Sequence, residues 1–193
     1  MAQVVAGTQL IRLNLGCGSR KVAGYVNVDR EGEPDLRVDL ESFPWPWGDS
    51  VAEHVLLVHV LEHLGADPDT FRRVVQELYR VCVPGARVEV VVPHPRHDNF
   101  LSDPTHVRAI TAQLMSLFDR EKCLAWQAGG YSNTPLALHW GVDFRIVAYQ
   151  EVPAEPYRTQ LAEGRLAPVD FQVIARERNN TIEETRLMLE ARK

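Results

Sequence analysis

Residues 10–18, LIRLNLGCG, decide how this chain is read. A short apolar run ending in Gly16-Cys17-Gly18 reads as a buried strand entering a tight turn. Glycine has no Cβ and tolerates positive φ, so such a turn can bring its backbone close to a ligand. Working outward, residues 25–29 (YVNVD) read as a second strand closed by an acid, and 36–40 (LRVDL) as a shorter third. After the Pro-Trp-Pro-Trp-Gly of residues 44–48, residues 51–59 read as a fourth strand, apolar enough to be buried. Residues 68–83 space Phe71, Val74, Val75, Leu78 and Val81 three and four apart, one face of a helix closed by Pro84-Gly85. Residues 87–93 (RVEVVVP) make the fifth strand. Strands apolar throughout and separated by a helix predict a parallel sheet covered on both faces.

The second half is less regular. Residues 94–111 read as a loop rich in His, Asp and Pro, and 111–126 as a helix. Residues 144–152 and 170–175 have strand character, with a polar excursion at 152–168 between them. Residues 177–193 are highly charged with a weak helical pattern, which predicts a solvated terminal helix.

The length of 193 residues suits one domain, a cofactor half at 10–93, a substrate half at 94–175 and a charged tail at 176–193. Hydrophobic residues at 45% and charged residues at 24% are ordinary for a globular chain. A formal net charge of −5 argues against nucleic acid as the partner, although Arg72, Arg73, Arg96 and Arg108 are candidate contacts. No apolar run approaches the ~18 residues that span a bilayer, so no membrane association is expected. The start, MAQVVAGTQL, lacks a basic leader, and Cys17, Cys82 and Cys123 are an odd, widely spaced set. Both features predict a cytoplasmic protein with reduced thiols.

In a doubly wound sheet, ligands bind at the carboxyl ends of strands near the switch point. The glycine turn, Asp29 and Asp39 would converge there. A carboxylate ending the second strand suits ribose hydroxyls, leaving Asp39 for an adenine edge. A dinucleotide fingerprint wants a third Gly or Ala where Lys21 stands, and an acid farther on than Asp29. A ligand with ribose and adenine but no phosphate fits these residues better.

Taken in order, LNLGCG (13–18), Asp29 of YVNVD, VDL (38–40), HVLEHL (59–64) and ELYRVCVPGARVEVVVP (77–93) resemble the motifs of class I S-adenosylmethionine-dependent methyltransferases, of the type 11-like group. The resemblance covers about residues 10–93. It implies an α/β fold, a doubly wound and mostly parallel seven-stranded sheet with helices on both faces, with S-adenosylmethionine as cofactor. It further implies that Asn14, Gly16 and Gly18, with Cys17 between the glycines, line the methionine part of the cofactor. Asp29 would bind the ribose, Asp39 and Leu40 would flank the adenine, and His59 would end the fourth strand under the sulfonium. Two departures stand out. Asn14 replaces an acid common in the family, and residues 19–24 are too short for the usual first helix. The shortened helix leaves that side of the cofactor open to a neighbouring subunit, as in a homodimer.

His59 and His63 are four apart with Glu62 between them, so on a helix they would share a face. HxxEH also marks one group of metallopeptidases, but that signature needs both histidines on a helix, and here His59 ends a strand. Metal-dependent methyltransferases acting on small RNAs and in the ubiquinone pathway carry ExxEH at this place. The resemblance, with His59 for the first Glu, makes His59, Glu62 and His63 a candidate site for a divalent transition metal. The alternative is that the pair only fixes the strand's exit by hydrogen bonds. The loop 93–108 adds His94, His97 and His106 with Asp98 and Asp103, and Asp103-Pro104-Thr105 is a candidate cap for the next helix. His97 and His106 are candidate proton acceptors. Residues 94–141 and 152–168 are candidate lids. The expected activity is methyl transfer to an oxygen of a small-molecule acceptor. The competing readings are a metal-dependent hydrolase using His59, Glu62, His63 and His106, and a non-catalytic S-adenosylmethionine-binding module.

Overall fold

The computed structural model describes residues 10–193. Seven strands form one sheet: β1 Ile11–Leu15, β2 Val26–Asp29, β3 Leu36–Arg37, β4 Ala52–Val58, β5 Cys82–Pro93, β6 Phe144–Pro153 and β7 Ile182–Ala191. Their order is β3-β2-β1-β4-β5-β7-β6; only β7 runs against its neighbours, pairing antiparallel with β5 and β6. The chain leaves β1 toward β3 on one side and returns through β4 and β5 on the other, a doubly wound topology with its switch point between β1 and β4.

Register explains the core. Leu13, Val55, Val88 and Leu189 lie side by side across four strands, and Leu15, Leu57, Val90 and Leu187 form the next row. All eight are buried. The helix α1, Pro68–Val81, covers this face with Phe71, Val74, Val75 and Leu78, the stripe expected from their spacing. Asp67 caps it by accepting from the backbone N–H groups of Asp69 and Thr70, and Pro68 occupies its first turn. The elements after β5 finish the core: Phe118 and Trp140 stack near Phe71 at 6.3 and 6.2 Å between ring centres. Burying a side chain of this size is worth about 1.5–3 kcal/mol.

The opposite face is built differently. Right-handed crossovers from β1 to β2 and from β2 to β3 would lay helices there, but residues 16–25 and 30–35 contain only turns and bends, so the shortened first helix is absent altogether. The row Arg12, His54, Arg87 and Glu190 on that face is half-exposed or exposed.

Three expectations from the second half are corrected. Residues 170–175 are not a strand but part of α7, Pro168–Glu177, where Pro168 presets the first turn and only Phe171 is buried. Residues 177–193 hold no terminal helix: Ile182–Ala191 is β7, deep in the sheet, because Thr185, Leu187, Leu189 and Ala191 alternate inward. The helix expected over 111–126 is divided into α3, Ala112–Ser116, and α4, Arg120–Ala128, because Asp119 turns its carboxylate to the N–H of Lys122 and starts a new helix. Short helices α2 (Asp98–Leu101), α5 (Leu136–Trp140) and α6 (Tyr157–Ala162) complete the connections.

Candidate functional site

At the switch point, beyond the carboxyl ends of β1, β2 and β4, a cleft of about 470 Å³ opens. Gly16, Asp29, Asp39, Leu40 and His59 line it, joined by Val60, His63 and Thr105. Gly16 sits at φ 67°, and a Cβ there would lie 2.4 Å from Cγ2 of Val60, so the first turn after β1 admits only glycine. Asp29, at the end of β2, accepts the Gly18 N–H at 2.8 Å through Oδ2 and the Glu31 N–H at 3.0 Å through Oδ1. Each oxygen keeps a second lone pair for a ligand hydroxyl. Asp39 accepts the Glu41 N–H, and the buried Leu40 offers its carbonyl to the indole N–H of Trp45. Asp29 therefore keeps two acceptor positions open, as many as a pair of neighbouring ribose hydroxyls would fill.

Asn14, Cys17 and Gly18 do not line the cleft. Asn14 is buried and spends its amide N–H groups on the Arg20 carbonyl and on Oδ1 of Asn27, both at 2.9 Å. Asn27 in turn accepts the Val22 N–H and donates to carbonyls of Val22 and Tyr25 and to Asp35. Two buried asparagines thus satisfy the backbone of a connection that has no helix to satisfy it internally. Cys17 is also buried, and burial raises its thiol pKa.

Asp35 closes this network, accepting from Lys21, from the Asn27 side chain and from the Asn27 backbone. These hydrogen bonds, Lys21's first, pull its pKa down to about 2. A carboxylate depressed in the folded state stabilises fully above its unfolded value of ~3.9. That contribution is lost as pH falls through about 2. Asp35→Asn is expected to flatten the acid limb of melting temperature against pH below ~4, with little change in the shape of the curve above it. A mutant acid limb that overlays the wild-type one would refute the assignment.

The second half of the site begins where β4 ends. His59 has φ 56°, a left-handed conformation uncommon outside glycine, and it turns the chain from the strand into a 3₁₀ turn, Leu61–His63. Its Nδ1 lies 3.5 Å from Oε1 of Glu62 and its Nε2 lies 3.1 Å from Oε1 of Glu184 on β7. The Glu62 carboxylate, with Glu184 adding to it, raises the His59 pKa above its ordinary value against the opposing effect of burial. Beyond His59 lies a smaller cavity of about 230 Å³ lined also by His106, Asn99, Glu183 and Glu184.

The trio expected to gather a metal is rearranged. Glu62, His63 and His106 come together, each offering one ligand atom within 4.8 Å of the others, while His59 stands beside them with its nitrogens turned to two carboxylates. The segment after His106 is pinned to the turn, Val107 and Arg108 donating to the Glu62 carbonyl at 2.9 and 3.2 Å. Of the two expected proton acceptors, His106 reaches the smaller cavity and His97 does not: His97 caps α2, its Nδ1 accepting the Asn99 N–H. Asp103 and Thr105 cap no helix; they build the turn before His106, and Thr111 caps α3 instead. Glu183, Glu184 and Thr105 were missed as site residues. The period-two pattern ending in Leu187-Met188-Leu189 was the available signal for the strand that delivers both acids.

No protein-family model and no curated protein matches the chain. Solved structures do. A S-adenosylmethionine-dependent methyltransferase from Archaeoglobus fulgidus superposes with a TM-score of 0.58 at 17% identity over 94% of this chain and 86% of its own. The YcgJ protein from Bacillus subtilis gives a TM-score of 0.54 at 16% identity over 96% of this chain and 93% of its own. The 1,6-didemethyltoxoflavin N1-methyltransferase of Burkholderia thailandensis, solved with S-adenosylhomocysteine, gives 0.52 at 14% identity over 97% and 73%. The chain therefore has the Rossmann-like fold of class I S-adenosylmethionine-dependent methyltransferases. Among the described residues no helix is long and apolar enough to cross a membrane.

Proposed function

We propose that this chain transfers a methyl group from S-adenosylmethionine to a hydroxyl oxygen of a small molecule. One observation carries the reading: among the described residues, His59 alone lines both the cleft at the switch point and the smaller acid-lined cavity. When bound, S-adenosylmethionine supplies an electrophilic methyl group on a sulfonium. The work left to the protein is to hold an acceptor in line with that methyl and to take its proton. Asp29 accepts the ribose hydroxyls, Asp39 and Leu40 flank the base, and the Gly16 turn lets the backbone approach the remainder. An acceptor entering the smaller cavity would meet Nε2 of His59 in place of Glu184. Glu184, facing the same cavity, stabilises the imidazolium formed when His59 accepts the hydroxyl proton.

A small acceptor is favoured over RNA because the four candidate arginines are already engaged. Arg96 donates to carbonyls of Ala175, Arg176 and Arg178, and Arg72 pairs with Asp69. Arg73 and Arg108 lie over the rings of Phe43 and Phe71 at 4.3 and 4.0 Å.

The test is calorimetric binding of S-adenosylhomocysteine followed by transfer of labelled methyl from S-adenosylmethionine to a panel of small hydroxylated compounds. The expected result is one S-adenosylhomocysteine per chain, and loss of turnover of roughly 10²-fold or more in His59→Asn with the cofactor affinity kept. Absence of S-adenosylhomocysteine binding overturns the reading.

A further inference from the structure

We infer that Glu62, His63 and His106 form a binding site for one first-row divalent transition metal ion. Glu62 has no exposed surface, and neither carboxylate oxygen has a hydrogen-bond partner in the protein. Ionising a buried carboxylate that has no partner is costly, and a bound cation compensates that cost. His59 is the nearest positive candidate, but its Nδ1 stands 3.5 Å away and serves one oxygen only.

The two imidazoles are set to supply lone pairs. Thr105 Oγ1 spends its single proton on Asp103, so Nδ1 of His63, 2.9 Å from that oxygen, must be the donor. Nδ1 of His106 lies 2.8 Å from the carbonyl of Phe100, which can only accept, so it too carries the proton. In the neutral form of each ring Nε2 is then the acceptor, that of His106 lying 3.8 Å from Oδ2 of Asp103. Outer partners that fix a tautomer in this way are the usual support of metal-ligating histidines. The ring of His106 is held by stacking on Phe100, 22° from parallel, and it meets the ring of His63 at 4.6 Å between centres.

Two imidazole nitrogens and one carboxylate are the donor set of zinc, iron(II), cobalt, nickel or manganese rather than of magnesium. Bonds of ~2.0–2.2 Å would draw the three donors closer together. They now lie within 4.8 Å of one another. His63 lines the cofactor cleft and His106 the smaller cavity, so the ion would sit where the two meet. The site is independent of methyl transfer: metal and S-adenosylhomocysteine binding are separate measurements.

The experiment strips the full chain with a chelator, confirms the loss by elemental analysis, and titrates it with Co(II) and then Zn(II). The expected result is one equivalent per chain with a visible cobalt band that zinc abolishes. Glu62→Gln and His106→Asn should each weaken binding at least 100-fold. Thr105→Val, which touches no metal but frees the His63 ring, should weaken it ~10–100-fold while leaving the melting temperature of the stripped chain close to wild type. If the first two variants fail to fold, Thr105→Val and the imidazole nitrogen shifts of the wild type on adding Zn(II) decide. No saturable binding to the wild type at micromolar metal, or unchanged binding in Thr105→Val together with unmoved nitrogen shifts, overturns the site. A chain that binds S-adenosylhomocysteine but no metal overturns it as well. A chain that binds metal but no S-adenosylhomocysteine supports the site and overturns the methyl-transfer reading instead.

Discussion

Asp29→Ala is expected to reduce S-adenosylhomocysteine affinity by ~10²–10³-fold, from the loss of two hydrogen bonds to a charged acceptor at about 1.5–2 kcal/mol each. Asp29 has one lone pair on each oxygen committed to the Gly18 and Glu31 N–H groups, so its orientation is set before any ligand arrives. Preorganisation of this kind is why a single carboxylate can dominate nucleoside recognition. Alanine also frees the Gly18 N–H, and the control is Asp29→Asn, which keeps one oxygen acceptor but loses the charge. A drop of ~10-fold in Asn against ~10²–10³-fold in Ala would separate ribose recognition from loop positioning. Calorimetric titration of both variants decides it, and an affinity for Asp29→Ala within threefold of wild type would remove Asp29 from the site.

The parallel half of the fold was legible because its signals are local. Leu13, Leu15, Val55 and Leu57 are apolar on consecutive buried strands, and Phe71, Val74, Val75 and Leu78 repeat at helical spacing. Glycines and acids at strand ends mark the carboxyl edge, so the sequence alone brings Gly16, Asp29 and Asp39 to one cleft. The antiparallel half was not legible for a physical reason. In β7 the inward residues Thr185, Leu187 and Leu189 alternate with Arg186, Met188 and Glu190, and the dense charge of the outward set imitates a solvated helix. Misplacing β7 hid Glu183 and Glu184, whose position depends on register with β5 across nearly a hundred residues. The histidines show the same limit. Spacing and the likeness to ExxEH joined His59 to Glu62 and His63, whereas a left-handed turn at His59 directs its ring to Glu184, and His106, brought in by the loop after β5, lies beside Glu62 and His63 instead.

That loop and the 3₁₀ turn are braced by a position no histidine argument would single out. Gly65 follows the turn at φ 69°, and a Cβ there would lie 2.4 Å from Cβ and 2.5 Å from Cα of Phe71. The obstacle is backbone at the start of α1, which cannot rotate aside as a side-chain tip can. Around the same point the Gly65 carbonyl accepts from Arg108, its N–H donates to Glu41, and Arg108 lies over the Phe71 ring. Left-handed strain of ~1–3 kcal/mol and a steric overlap of similar size add to a destabilisation of about 3–5 kcal/mol for Gly65→Ala. For a chain of this length that is a fall in melting temperature of roughly 10–15 °C. If α1 instead shifts to admit the methyl, Glu62 and His63 move with the turn, and S-adenosylhomocysteine affinity falls along with cobalt affinity. Calorimetric melting with both titrations separates the two outcomes, and a variant that melts within 2–3 °C of wild type (under ~1 kcal/mol) with both affinities intact would show that the turn is not held against α1 as described.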